Sequence, residues 1–471
     1  LDELAEKALD NQRKRYVPIP LRLIAALVAL IGIGAGLLLL PGMTTQPITF
    51  MDALFTATSA AAVTGLTVLP TSTTFTRAGQ WVILLLMQFG GLGFVVIVVL
   101  TLRLLGRRIS LVDRLAVSSS LGLASSGAVI RILLRTVALM LVIEGTGALV
   151  LWLHWSRSGL VSAADAPFYA LFHAVAAVCN AGFDLFSGQP QFAGGIPADA
   201  VTLVTLGLLV LSGGLGIPVY MDLLHRGLGR RLGRRNGHVA GRPVHRLTLH
   251  TRLALWSALA LVLLGWIGLL ISEYRLGGVL SELPLGDRVL RAWFQSVSAR
   301  TAGFAGFADF GGIDEASQLL LMCLMFIGSA PASMGGGITT GTLAVLTMAM
   351  WSLGHGYDTV RAGRRAISMA TVWRAVTVLI VSLAVVMVAT WLLLLDTKLA
   401  FSPTIFEVVS AFSTTGLSLG ITPELDTPGR LILIALMFWG RLGAVTIMLA
   451  LFRAEPRKTL VKYPEEVVLV G

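Results

Sequence analysis

The apolar positions of the chain gather in runs of about twenty residues, the length at which a helix crosses a bilayer. Such runs occupy 19–40, 81–102 and 430–451. Between the long runs lie four shorter apolar segments, 52–62, 170–178, 289–298 and 406–412, which cannot reach across about 30 Å of hydrocarbon. Each short segment leads into a word of small residues built on a glycine: "AVTGLTV" around Gly65, "CNAGFDL" around Gly182, "RTAGFAG" around Gly303 and "STTGLSL" around Gly416. The glycines stand 117, 121 and 113 residues apart, with Phe55, Phe172, Trp293 and Phe406 ten positions before them. Leu66, Phe183, Phe304 or Leu417 follows each one. A second glycine-rich word returns 24 to 31 residues later: "GGLG" at 90 and at 213, "GSAPASMGGG" at 328 and "GRLG" at 440. Two separate marks that recur four times define an internal repeat.

Each repeat reads as a long helix, a short apolar segment, the glycine word and a second long helix. The first helices are predicted at about 19–40, 132–153, 252–272 and 374–395, the second at about 80–103, 200–224, 316–350 and 430–452. The repeats then occupy 17–114, 115–235, 236–360 and 361–453, between a cytoplasmic N-terminal segment, 1–16, and a cytoplasmic C-terminal tail, 454–471. Non-helical backbone at membrane depth persists only where protein buries it or where it lines water. The short segments therefore enter the membrane and turn back as re-entrant pore helices, and the glycine words are their extended return legs. The expected fold is an all-α polytopic membrane protein: four covalently linked helix–pore-loop–helix repeats, with eight transmembrane helices around one pore.

Composition agrees. Of 471 residues, 55% are hydrophobic and 13% charged, against about 25% charged in a soluble chain. No cleavable signal peptide is expected, because the charged stretch "LDELAEKALDNQRKRY" precedes an apolar run too long for an h-region. The net charge of +11 does not point to nucleic acid, because it is concentrated in loops. Arg226, Arg230, Arg231, Arg234, Arg235, Arg242, Arg246 and Arg252 share one stretch without an acid. Arg103, Arg107, Arg108 and Arg114 form a second basic loop, and Arg361, Arg364 and Arg365 a third. With Arg13, Lys14 and Arg15, these place three loops and both termini in the cytoplasm. The same basic surface also suits anionic lipid or a soluble partner. The opposite loops collect Asp52, Asp165, Asp184, Glu282, Asp309, Asp314, Glu315, Glu424 and Asp426, a sign that concentrates cations at a mouth. Cys179 and Cys323 lie far apart in apolar surroundings and imply no disulfide framework or metal cluster. No phosphate-binding loop or dinucleotide fingerprint appears, and no nucleophile or acid–base pair recurs in the four repeats, so an enzyme is not expected.

The words "TATSAAAVTGL", "FHAVAAVCNAGF", "FQSVSARTAGF" and "EVVSAFSTTGL" resemble the four filter segments of the Trk/Ktr/HKT potassium transporter superfamily. The resemblance runs from about Val17 to Leu451. With one span before the first filter, the chain is similar to the Ktr-type ion-translocating subunit rather than to Trk-type subunits, which carry an additional N-terminal helix pair. The resemblance implies potassium uptake across a bacterial cell (inner) membrane, by a homodimer assembled with a cytoplasmic ring of nucleotide-binding regulatory subunits. ATP or ADP would bind that partner, and no cofactor would bind this chain. It places the filter at Val63, Thr64 and Gly65, at Asn180, Ala181 and Gly182, at Thr301, Ala302 and Gly303, and at Thr414, Thr415 and Gly416. Potassium would meet only backbone carbonyls there, which replace its water shell. In related plant transporters a serine in place of the first glycine accompanies sodium preference; Gly65 favours potassium. A sodium-preferring or non-selective relative is the alternative, and a dependence of uptake on sodium stays open.

Two departures from repeat symmetry carry the expected gate. "FIGSAPASMGGGITTGT" interrupts the third second-helix with Pro331, Ser333, Gly335, Gly336 and Gly337, and helix propensity falls by about 1 kcal/mol per glycine and about 3 for proline. The resemblance makes it an intramembrane loop that obstructs the pore; a kinked helix packed through its glycines is the other reading. Arg441, about eleven residues from either end of 430–452, is an intramembrane charge and a functional candidate by default. Family likeness sets it beside the loop as a second barrier, whereas an ion pair with Glu144 would make it structural. Arg300 is read as support for the third filter. His173, Cys179, Asn180 and Asp184 are accounted for by the second pore helix and its return leg, without a metal site.

Overall fold

The computed structural model describes residues 19–91, 129–192, 195–224, 247–275, 277–307, 309–363, 365–395 and 399–443. The basic stretches 13–15, 103–114 and 226–246, and the parts 92–103 and 444–452 of two predicted second helices, lie outside them. Helices are numbered below in chain order. Four long apolar helices recur: α1 (Ile19–Leu38), α4 (Val129–Ser158), α8 (Leu249–Arg275) and α12 (Met369–Leu394). By length and apolarity, α4, α8 and α12 each suffice to cross a bilayer. Four short helices follow them: α2 (Phe50–Ala61), α5 (Ala166–Val178), α9 (Leu285–Ser298) and α13 (Phe401–Ser413). At 12 to 14 residues they are about 18–21 Å long, well short of about 30 Å. Phe55, Phe172, Phe294 and Phe406 are fully buried on them. In the third the buried ring is Phe294, one residue after the expected Trp293. That helix also stops one residue earlier relative to its glycine than α2 and α5 do.

A third set of helices packs outside the short ones: α3 (Arg77–Gly91), α6 (Ala200–Gly214), α10 (Glu315–Phe326) and α14 (Thr427–Leu442). Asp199, Asp314 and Asp426 cap three of them by accepting backbone N–H bonds from Thr202, Ala316 and Gly429. Several acids assigned to the outer mouth are thus tied into local structure. Asp52 completes a capping box with Thr49 and also accepts from Arg430 at 2.8 Å. Arg430 lies in the first turn of α14, so this bond joins the last quarter of the chain to the first short helix. Arg77, at the start of α3, likewise pairs with Asp165 before α5, and Ser402 of α13 donates to Gln318 of α10 at 2.6 Å. Each contact runs from the start of an outer helix to the start of the following short helix.

Two outer helices depart from the continuous spans predicted for them, the second and the fourth. Residues 200–224 break at Leu215 and Gly216, and α7 (Ile217–Leu224) leaves α6 at 91°. Gly216 takes φ +81°, and Pro218 has no N–H to continue the ladder but suits the first turn of a new helix. The expected break in the third outer span lies between α10 and α11 (Thr340–Gly354). In the fourth, α14 ends at Leu442 and Gly443 takes φ +78°. Arg441 therefore stands in the last turn of its helix and not at the middle of an unbroken span.

Candidate functional site

Gly65, Gly182, Gly303 and Gly416 meet in one closed ring. A Cβ built on Gly65 would lie 2.9 Å from the Cα of Gly182, and one on Gly182 would lie 3.1 Å from that of Gly303. On Gly303 it would lie 3.1 Å from the Cα of Gly416, and on Gly416 2.9 Å from that of Gly65, closing the circuit. The same positions crowd the carbonyl oxygens of Ala181, Ala302, Thr415 and Thr64. All four glycines have positive φ, between +66° and +93°. Two residues earlier Val63, Asn180, Thr301 and Thr414 also have positive φ, between +51° and +75°. Three of these are β-branched, for which the left-handed region is a true outlier. Such strain persists only where surrounding structure imposes it, and it gathers at functional sites.

The return legs hang on the short helices by their N–H groups. Thr64, Ala181 and Thr415 donate to the carbonyls of Ser59, Ala176 and Ser410 at 2.8, 2.7 and 2.9 Å; Ala302 donates to Ser298 at 2.9 Å. Among the described residues, no donor reaches the carbonyls of Thr64, Gly65, Ala181, Gly182, Ala302, Gly303, Thr415 or Gly416. Backbone carbonyls withdrawn from water require partners, so this ring suits a ligand that accepts several oxygens at once. Farther along, His173 receives the Leu185 N–H on Nε2 at 3.3 Å while Nδ1 meets the Tyr169 carbonyl at 2.7 Å. The Gly306 N–H donates to Gln295 at 2.8 Å, and Thr422 donates to the buried Glu407 carboxylate. His173 is thus a brace for its leg. Asp184 accepts from the N–H groups of Phe186 and Ser187 at 2.8 and 2.6 Å in the following turn.

The second glycine mark has a separate cause. A Cβ on Gly90, Gly213 or Gly440 would collide with the carbonyl oxygen of Ala61, Val178 or Phe412, near the end of a short helix. Outer helix and short helix touch there backbone to backbone.

The segment between α10 and α11 lies against the short-helix side of the ring. Gly335 packs on Thr301 and Ser329, Gly336 on Thr414, and Gly337, at φ +72°, on Ser413. Thr301 shares a 2.8 Å hydrogen bond with Ser329, and the Asn180 amide oxygen accepts from Thr301 at 3.1 Å. Ser333 lies in a turn closed by its N–H to the Ala330 carbonyl at 3.2 Å. Beside it Ala332 takes φ +56°. The bend between α6 and α7 is shaped to this segment: Ala330 and Met334 donate to the Gly214 and Gly213 carbonyls at 3.1 and 3.3 Å, and Ile217 donates to Ala332 at 2.9 Å. Sequence reading missed this dock, although Gly216 followed by Pro218 was its signal.

Arg441 holds the segment from the other side. It donates to the Met334 carbonyl and to the carbonyls of the buried Gly90 and Gly91 of α3, the latter at 3.2 Å. Glu144 instead accepts from Gln88 at 3.1 and 3.3 Å, so the two charges do not form the considered ion pair. Arg300 reaches the Ala258 carbonyl at 3.2 Å and that of Gly328 at 3.5 Å. It ties the end of the third short helix to α8 and to the start of the segment.

A family model described as TrkH, cation transport protein, matches residues 10–463. The chain is 36% identical over 437 residues to the Ktr system potassium uptake protein B of Vibrio alginolyticus, covering 93% of this chain and 91% of that protein. Identity to the protein of the same description from Bacillus subtilis (strain 168) is 35%, with 97% of each covered. The potassium/sodium uptake protein NtpJ of Enterococcus hirae is also 35% identical, with 98% of each covered. Among solved structures, the potassium transporter TrkH of Vibrio parahaemolyticus superposes with a TM-score of 0.68 at 20% identity, over 92% of this chain and 84% of that one. At that identity the likeness is one of fold.

The backbone contacts predict unequal responses to a single added methyl. Gly213→Ala and Gly440→Ala force a Cβ into a carbonyl and are expected to destabilise by about 1–3 kcal/mol. Gly36→Ala, where nothing lies within 4 Å, is expected to stabilise α1 by about 0.5–1 kcal/mol. Thermal unfolding of the purified variants in detergent checks both signs.

Proposed function

The chain belongs to the TrkH family of cation transport proteins, and on that premise we propose that it is the pore-forming subunit of a Ktr-type potassium uptake system. It is a transporter and not an enzyme. The observation that carries the potassium reading is the glycine ring, with eight carbonyls that no donor among the described residues satisfies. A potassium ion shedding its water needs several oxygens together, and converging carbonyls supply them. The short helices direct their carbonyl ends toward the space on the loop side of the ring, where helix dipoles favour a cation. One filter glycine per repeat gives fewer carbonyl layers than a strict potassium channel has, and so a looser filter.

In this reading the four helix–pore-loop–helix repeats form eight spans around one pore, and the segment from Gly328 to Thr340 closes it below the filter. Arg441 restricts passage twice. Its guanidinium bonds fix the segment, and its positive charge opposes a cation where the dielectric is low. Relatives are named as parts of a Ktr system, a name for several components. The system proposed here is a homodimer with a cytoplasmic nucleotide-binding ring that responds to ATP or ADP. The basic segments face that ring and the inner lipid surface.

Two outcomes follow from this geometry. Gly65→Ser places a Cβ against Ala181 and Gly182 and is expected to lower potassium-over-sodium discrimination severalfold in uptake by potassium-depleted cells. Unchanged competition between the ions would remove the filter from this ring. Arg441→Ala, or deletion of residues 332–336, is expected to raise the maximal potassium flux and lessen its dependence on the regulatory subunit, with a smaller change in apparent affinity. A well-inserted variant that carries potassium no faster than the parent means that the segment is not the barrier.

A further inference from the structure

The four sides of the ring are held unequally. In a trans peptide the N–H and C=O groups point in opposite directions. An acceptor that holds a ring glycine's N–H away from the axis therefore aims the preceding carbonyl toward it. Gly65 N–H donates to Ser59 Oγ at 3.1 Å, and Gly416 N–H donates to Ser410 Oγ at 3.0 Å. Both serines are fully buried on short helices, six positions before their glycines. Each also accepts the preceding N–H, from Thr64 or Thr415, on its own carbonyl. One residue thus fixes two successive peptides.

The equivalent positions in the second and third quarters are Ala176 and Val297, which have no hydroxyl. In the third, Gly303 N–H falls back on the Ser298 carbonyl at 3.2 Å. In the second, no acceptor among the described residues reaches Gly182 N–H. The ring therefore has two peptides locked by side chains, one held by backbone and one unheld.

We propose that Ser59 and Ser410 are positioning residues that lock the Thr64 and Thr415 carbonyls onto the axis and thereby set the preference for potassium over sodium. The Ala181–Gly182 peptide is the loosest side of the same ring. The proposal rests on the reading of the ring as a potassium filter. A smaller ion is accommodated when carbonyls rotate or move inward, so restraint on the peptide planes penalises sodium.

The test is ion binding by the purified full-length chain, read as thermal stabilisation by potassium and by sodium. Ser59→Ala and Ser410→Ala are each expected to lower the potassium-to-sodium affinity ratio about fivefold, the worth of one hydrogen bond. Ser59→Thr and Ser410→Thr, which keep the hydroxyl, are expected to retain most of the ratio. Ala176→Ser supplies the missing acceptor and is expected to raise it. A merely structural serine would lower the melting temperature and leave the ratio alone, and that result in both alanine variants overturns the proposal. An Ala176→Ser protein with an unchanged ratio overturns the assignment of the loosest side. Gly65→Ser separates the levels: if it changes the ratio and the alanine variants do not, the filter reading stands and this inference falls. If Gly65→Ser also changes nothing, the filter reading itself fails.

Discussion

Four strands of backbone approach one another at Gly65, Gly182, Gly303 and Gly416 so closely that none has room for a Cβ. That contact depends on positive φ at the glycine and again two residues before it, which turns each leg in the same way. Strain of this kind needs a rigid surround. The buried short helices, the brace of His173 and the hydroxyls of Ser59 and Ser410 provide it from behind. The rim contacts Arg430–Asp52 and Arg77–Asp165 fix where the short helices begin. The ring carbonyls that these supports surround have no donor among the described residues.

A second layer of the structure depends on the first. The segment between α10 and α11 rests its glycines on Thr301, Thr414 and Ser413, the residues that prepare the turn into the ring. Its own backbone groups are satisfied by the bend at Leu215 and Gly216 and by Arg441. A buried guanidinium is costly, and three backbone carbonyls, those of Met334, Gly90 and Gly91, receive this one. The glycine ring and the segment between α10 and α11 are therefore adjacent parts of one packed unit, joined through Thr301, Ser329 and Asn180.

Much of this was legible in the sequence because it recurs. The near-constant spacing of the four glycines and the brevity of the apolar segments before them identified the short helices and the ring residues. Propensity alone located the break between α10 and α11. The bend after Gly214 was hidden, because "GGLG" at 213 looked like the close-packing mark shared with 90, and only Pro218 hinted that it also ends a helix. Arg441 was set at mid-helix because apolar residues continue past Gly443, and hydropathy does not register a positive φ. Its partners were illegible for a different reason: Met334, Gly90 and Gly91 offer carbonyls, which every residue carries. The same holds for Ser59 and Ser410, whose hydroxyls matter only through the direction of one peptide bond.

In the proposed function the ring carbonyls bind the transported ion. The most direct measurement is a crystal structure of the chain in rubidium or thallium, whose anomalous scattering locates the ion without reference to the protein atoms. A peak is expected on the ring axis, coordinated by the carbonyls of Thr64, Ala181, Ala302 and Thr415 or of the glycines that follow them. Anomalous density confined to side-chain oxygens elsewhere, with none on that axis, would contradict it.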